Sequence, residues 1–420
     1  MSTAITVVKK RSFYEKLLIG LFSKMECGYL LLTMPEGDQL EFGAGDEVRA
    51  SLKIKNTAFF KRAFLFGDIG FAESYMEGDW ETDSISNLIK WFIINIDNAP
   101  GVSGNATKIT ALNLFRFVNK IGHSKKINSI RGSKKNISEH YDLSNNFFAL
   151  FLDPTMTYSS GYFKEKGMTL EEAQLAKFDR LCKQLNLKPN DHVLEIGSGW
   201  GSNALYMAKH YGCRVTTLTI SEEQFKLTKQ KITAANLSDQ VEVLLKDYRL
   251  MEGKFDKLVS IEMLEAVGAE FYDEYFKKCH ELLKKNGILA LQVITCPDSR
   301  FESLKNGVDF IQKHIFPGSL LPSVAAINNS INKVSDFTLL DLKEMGLVVS
   351  DDDDLEGSDS PSGAYTRLND VQRTDTSTLG YGEDEDCGDE SMSDGWLRIE
   401  YVLVDMDGDG IAERRCIYRL

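Results

Sequence analysis

Residues 193–201 read VLEIGSGWG, an apolar run carrying one acid, Glu195, and ending in three alternating glycines, Gly197, Gly199 and Gly201. A glycine directly after a strand lets the chain turn tightly, and a second lets a ligand approach backbone N–H groups at the start of the next helix. Three small molecules use so bare a turn: a nucleoside triphosphate, a nicotinamide dinucleotide and S-adenosylmethionine. The triphosphate loop needs Gly-Lys-Ser/Thr after its glycines, and Gly201 is followed by Ser202-Asn203, which removes it. The dinucleotide fingerprint is G-x-G-x-x-G, whereas the spacing here is G-x-G-x-G with Ser202 where the third glycine belongs. A turn with no ligand is the third alternative, disfavoured because glycines so dense cost chain entropy without a return. E-x-G-x-G-x-G after a strand is the entrance to S-adenosylmethionine methyltransferases. Further on, Asp247-Tyr248 combines an acid suited to an adenine amino group with a stacking face.

These residues need a frame. From 190 to 295 the runs HVLEI, RVTTLTI, VEVLL, KLVSI and ILALQVIT are short and apolar, and helical stretches at 202–211, 221–236 and 271–285 lie between most of them. That alternation predicts a Rossmann-like α/β domain, a parallel sheet with helices on both faces. Ser221 with Gln224 three residues on predicts a capping box at the second helix. Residues 1–97 mix strand-like runs (GYLLLTM, QLEFG, EVRASLKI) with a helical SNLIKWFIINI and predict a small α+β domain. Residues 98–139 read as a linker whose Lys125, Lys126, Arg131, Lys134 and Lys135 form either a solvated strip or a face for anionic phospholipid or a carrier. The α/β region spans 140–346, an acidic and disordered segment 347–394, and a short unrelated β-like tail 395–420.

The net charge of −13 belongs to that tail: from Val348 onward there are 20 acids and 6 bases, against 42 acids and 43 bases before it. The acidity therefore says nothing about the partners of the main body, and nucleic acid is not expected as one. Seven scattered cysteines with no CxxC pair fit a reducing compartment, and neither a signal peptide nor a membrane-spanning run is present. The expectation is a cytoplasmic chain, free to touch a membrane peripherally, with a homodimer left open. No metal is expected: Asp405, Asp407, Asp409 and Gly410 have calcium-loop spacing, but Cys416 stands where the bidentate Glu is needed.

Seven blocks, the glycine turn among them, sharpen the reading. GDIGFAESYMEGDW (67–80), HYDLSNNFFALFLDPTMTYSSGYF (140–163), VLEIGSGWG, LTISEEQ (218–224), KDYR (246–249), EMLEAVG (262–268) and IFPGSLLPS (315–323) occur in this order. With them the chain, over about residues 10 to 346, resembles the cyclopropane-fatty-acyl-phospholipid synthase and mycolic-acid cyclopropane synthase family.

The resemblance implies S-adenosylmethionine as cofactor and unsaturated phospholipid at a membrane surface as substrate. It implies that Tyr158 and Ser159 contact the cofactor and that the stretch from Val193 to Gly201 wraps its methionine and ribose, with Glu195, Gly197, Ser198, Gly199 and Trp200 inside it. Thr219, Ile220, Ser221 and Gln224 would hold the adenosine side, and Asp247 and Tyr248 would flank the adenine. The family is understood to use bound bicarbonate as the base. Glu265 matches its glutamate for that ion, Ile294 would offer backbone to it, and Ser160 and Gln292 stand where many members have Cys and His. Both replacements can hydrogen-bond an anion. His140 and Tyr141 fall near the site but are read as packing residues, while Phe147, Phe148, Phe151 and Phe163 serve either as core or as an acyl-chain lining.

After Leu347 the family's Tyr-bearing step and closing helices do not follow; the chain runs into VVSDDDDLEG and ends in a segment resembling a phage portal protein fragment. A spliced or recombined origin explains such a junction. Losing a pocket wall admits water, so the expected activity is reduced or absent. Two other functions stay open: a non-catalytic remnant binding S-adenosylmethionine or lipid, and methylation of a small soluble substrate.

Overall fold

The computed structural model describes residues 11–45, 48–95, 144–165, 167–344 and, as backbone, 397–405. The basic strip at 125–135, His140, Tyr141, the acidic segment and most of the calcium-like loop lie outside the described residues. The described residues fall into two compact units.

The first unit holds a four-stranded sheet in the order β2-β1-β3-β4, with β1 at Tyr29–Thr33, β2 at Gln39–Phe42, β3 at Arg49–Ile54 and β4 at Trp80–Glu81. β1 and β2 form an antiparallel hairpin, and β3 joins β1 in parallel. Leu30, Leu32, Leu52 and Ile54 alternate inward and meet Phe59 and Phe60 from the helix Ala58–Met76 and Trp91 from the helix Ile85–Ile94. Asn95 is buried: its Nδ2 donates to the Cys27 and Trp91 carbonyls, and its Oδ1 accepts the Cys27 amide.

The second unit is a seven-stranded sheet, β10-β11-β9-β8-β5-β6-β7. Its strands are β5 at His192–Ile196, β6 at Arg214–Thr219, β7 at Val241–Leu245, β8 at Phe255–Ile261, β9 at Leu283–Thr295, β10 at Phe337–Glu344 and β11 at Leu397–Asp405. β5 to β9 are mutually parallel. Neighbouring residues on one strand point into different cores, as the strand pleat requires. Leu194, Leu258 and Leu289 pack against Tyr275, Phe276 and Ile327 from the helices Tyr272–Leu282 and Val324–Val334. Val193, Val259 and Ala290 pack against Leu181, Met207 and Ile232 from the helices Leu170–Gln184, Ser202–Tyr211 and Glu222–Ala234. The expected doubly covered, Rossmann-like sheet is the fold.

The tail is the departure from expectation. β11 is antiparallel to both neighbours, running from Leu397↔Thr295 to Val404↔Ile288 against β9 and from Phe337↔Asp405 to Glu344↔Ile399 against β10. The segment read as an unrelated tail supplies an interior strand. Local pattern identified a strand there, and no local pattern tells which edge a distant strand will pair with.

Candidate functional site

The chain leaves β5 toward β6 on one side and returns to β8 on the other, so a crevice opens at the carboxyl ends of these strands. It encloses about 1200 Å³ of empty space, its open mouth included. Of the residues expected at a cofactor, Tyr158, Ser159, Glu195, Gly197, Ser198, Gly199, Trp200, Thr219, Ile220, Gln224, Asp247 and Tyr248 all line it.

The glycines divide the work. Gly197, Gly199 and Gly201 all have positive φ, 96°, 49° and 84°. A Cβ on Gly199 would meet nothing within 4 Å, so that position is left bare on the crevice side. A Cβ on Gly201 would stand 2.5 Å from Thr228 Cγ2, so Gly201 lets the following helix approach its neighbour. The amides of Gly197 and Ser198 both donate to the Leu218 carbonyl, at 3.1 and 2.7 Å, and that of Gly201 to Ser198. These N–H groups are spent inside the protein; at these positions the turn gives a ligand room more than donors.

Glu195 reaches the crevice from within β5. Thr217 Oγ1 donates to its Oε2 at 2.5 Å and Asn203 Nδ2 to its Oε1 at 2.8 Å. Burial pushes its carboxyl up to about 7, against the pull of those two donors. The acid expected to flank the adenine is also held: Arg249 binds both Asp247 oxygens, Nε on Oδ1 at 2.9 Å and Nη2 on Oδ2 at 2.7 Å. Asp247 is thus fixed in orientation, with lone pairs remaining for a further donor.

Three residues expected at the cofactor do not line the crevice. Val193 is a core residue on the face away from the crevice's chemistry, because strand alternation turns it into the cluster with Leu181 and Met207. Gly201 serves packing. Ser221 caps its helix by accepting the Gln224 amide at 3.3 Å, but the second arm of the predicted box is absent. The Gln224 side chain accepts from Thr219 Oγ1 at 2.8 Å and faces the crevice instead.

The residues expected at the base form a second cluster. Gln292 Nε2 donates to the Ser160 carbonyl at 3.2 Å and to Glu262 Oε1 at 2.9 Å, and the Ser160 amide donates to the same Oε1 at 3.1 Å. Two residues along β9, the Ile294 amide donates to Glu265 Oε1 at 2.6 Å. Ile294 therefore orients Glu265 through its amide, beside the cluster to which its backbone was expected to contribute. Ser160 Oγ and Gln292 Oε1 are buried and have no hydrogen-bond partner among the described residues. A small anion carrying its own proton fits such a pair, since the hydroxyl can donate to it and the amide oxygen can accept from it.

Sequence reasoning missed several supporting groups. Fully buried Lys177 donates to Ser159 Oγ at 2.6 Å. Glu262 lines the crevice and touches both Ser160 and Gln292. Its signal lay inside the quoted EMLEAVG block. Of the phenylalanines, Phe148 is buried 5.0 Å from the Trp200 ring and 5.4 Å from Tyr158, and Phe147 is exposed. Among the described residues no group of three or more His, Cys, Asp or Glu could hold a metal, and no helix is long and apolar enough to cross a membrane.

Comparison with known proteins bears on the family and the fold. The mycolic acid cyclopropane synthetase family model matches residues 128–348, and the phage SU10 portal protein model matches residues 331–420. The tuberculostearic acid methyltransferase UfaA1 of Mycobacterium tuberculosis is 36% identical over 308 residues, 71% of this chain and 70% of the relative. The cyclopropane-fatty-acyl-phospholipid synthase of Escherichia coli is 39% identical over 283 residues, 67% of this chain and 69% of the relative. The solved structure of the cyclopropane synthase MmaA2 from Mycobacterium tuberculosis shares the fold, with TM-score 0.50, 24% identity, and coverage of 65% of this chain and 98% of that one.

Proposed function

Because this chain belongs to the mycolic acid cyclopropane synthetase family, we propose that it transfers a methyl carbon from S-adenosylmethionine to the double bond of an unsaturated phospholipid acyl chain, closing a cyclopropane ring. The observation that carries the reading is a shared wall. Glu262 faces the glycine-turn crevice and is hydrogen-bonded to Ser160 and Gln292 of the second cluster, so the sites proposed for cofactor and base would adjoin.

When bound, S-adenosylmethionine supplies an electrophilic methyl carbon. An alkene is a poor nucleophile, so the protein's task is alignment in a dry pocket. Ser159, braced by Lys177, and Glu195, braced by Thr217 and Asn203, hold positions on the crevice wall. Ser160 Oγ, Gln292 Oε1 and Glu265 would hold bicarbonate, which would supply a base for the proton lost on ring closure. The substrate would be met at a membrane surface, with the basic strip at 125–135 drawn to anionic headgroups. Turnover is read as lower than in the relatives, since the family match ends at residue 348 and portal-like sequence provides the strand beside β9.

The test is incubation with methyl-labelled S-adenosylmethionine and vesicles of either monounsaturated or saturated phospholipid, with the lipids analysed by mass spectrometry. Label in the unsaturated lipid alone, as one added methylene, supports the reading. Cofactor binding with no labelled lipid would leave a binding remnant, and label in a soluble acceptor would redirect it.

A further inference from the structure

Gln292 is 0% exposed on β9, and its amide nitrogen is committed. The two atoms it faces, the Ser160 carbonyl and Glu262 Oε1, are both acceptors, so nitrogen and not oxygen must point at them. Its Oε1 is then turned the other way, buried and without a partner among the described residues. A buried acceptor in that condition calls for a donor.

Glu262 fixes this orientation together with the Ser160 carbonyl, and makes the shorter of the two contacts. Its φ is +47°, a backbone conformation that favours glycine, and its amide is tied to the Gln292 carbonyl at 2.7 Å. A carboxylate in so unfavourable a place, gripping Gln292 through both main chain and side chain, is a built feature.

We propose that Glu262 is a positioning residue that locks the Gln292 amide with its oxygen toward the base site, so that the site selects an anion carrying an O–H donor over one that can only accept. The inference rests on the bicarbonate reading above and adds a basis for its selectivity. Carbonate and nitrate, with acceptor atoms only, would meet the amide oxygen lone pair to lone pair, whereas bicarbonate places its hydroxyl there.

The experiment uses the full chain loaded with S-adenosylhomocysteine. Bicarbonate binding is read from line broadening of carbon-13 bicarbonate, and nitrate binding from its competition. Wild type should bind bicarbonate and be displaced poorly by nitrate. In Glu262→Gln the new amide can donate to Gln292 Oε1, freeing the side chain to turn its nitrogen inward. Bicarbonate affinity should fall about tenfold and nitrate should compete at least fivefold better. Glu262→Asp should restore part of the selectivity. Glu262→Gly suits the positive φ, keeps the fold and should lose selectivity as Glu262→Gln does. If wild type binds bicarbonate and both Glu262→Gln and Glu262→Gly retain its selectivity, the positioning role is overturned and the base site stands. If wild type binds no bicarbonate, both fall together.

Discussion

Glu265 Oε1 accepts the Ile294 amide at 2.6 Å while the Glu265 carbonyl accepts the Leu320 amide at 2.8 Å. One residue thereby joins the loop after β8, the end of β9 and the IFPGSLLPS segment. Burial also raises the nearby Tyr272 hydroxyl well above the usual phenol range, reinforced by the Glu265 charge, and that hydroxyl donates to the Leu320 carbonyl. Replacing the carboxylate by its amide, Glu265→Gln, leaves the shape and removes the acceptor charge. Transfer to unsaturated lipid should drop by about a hundredfold or more, with cofactor affinity within about threefold of wild type. An activity loss matched by an equal affinity loss would move Glu265 from the base site to the cofactor site.

Glu195 makes a pH prediction. Its carboxyl stands near 7 in the fold against 4.5 for the ordinary group, so the native state binds more protons than the unfolded chain between those values. Stability from this group is therefore present at low pH and is lost as pH rises through about 7, amounting to at most about 3 kcal/mol. In urea melts Glu195→Gln should be more stable than wild type at pH 8, the gap narrowing toward pH 5. Cofactor binding should show the opposite trade. The cationic ligand favours the ionised acid, so wild-type affinity should rise from pH 6 to 8 and the variant should lose that slope.

Gly201 and Thr228 form a packing pair that double substitution can read. Gly201→Ala forces a methyl to within 2.5 Å of Thr228 Cγ2 at φ +84°, and should cost about 2–3 kcal/mol. Adding Thr228→Ser removes the clashing carbon and should recover part of that, a coupling visible in the cycle. Gly199→Ala, with open space ahead of its Cβ, should chiefly weaken cofactor binding.

β11 predicts a role for the portal-like tail. It hydrogen-bonds along β9 and β10, so ending the chain at residue 396 bares the β9 edge and removes both partnerships. The shortened chain should melt several degrees lower and aggregate more readily. Equal melting temperatures would show that the strand contributes nothing to the sheet.

The sheet and its helices were readable because each relies on local pattern. The run HVLEI, the glycine turn and the Ser202–Tyr211 helix follow one another within twenty residues. Most crevice residues were readable for the same reason, being fixed to strand ends. What was not readable depends on contacts between distant segments. Lys177 reaches Ser159 across 18 positions, Glu262 reaches Ser160 across 102, and β11 enters the sheet from beyond the acidic segment. Gln224 is instructive: its spacing from Ser221 matched a capping box, yet Thr219 offered its side chain a better partner at the crevice.

Calorimetric titration of the intact chain with S-adenosylmethionine, S-adenosylhomocysteine and nicotinamide dinucleotides tests the central claim most directly. Saturable binding of the first two at one site, abolished by disturbing Gly199 and absent with the dinucleotides, is the predicted result. Heat from a dinucleotide with none from S-adenosylmethionine would contradict the account.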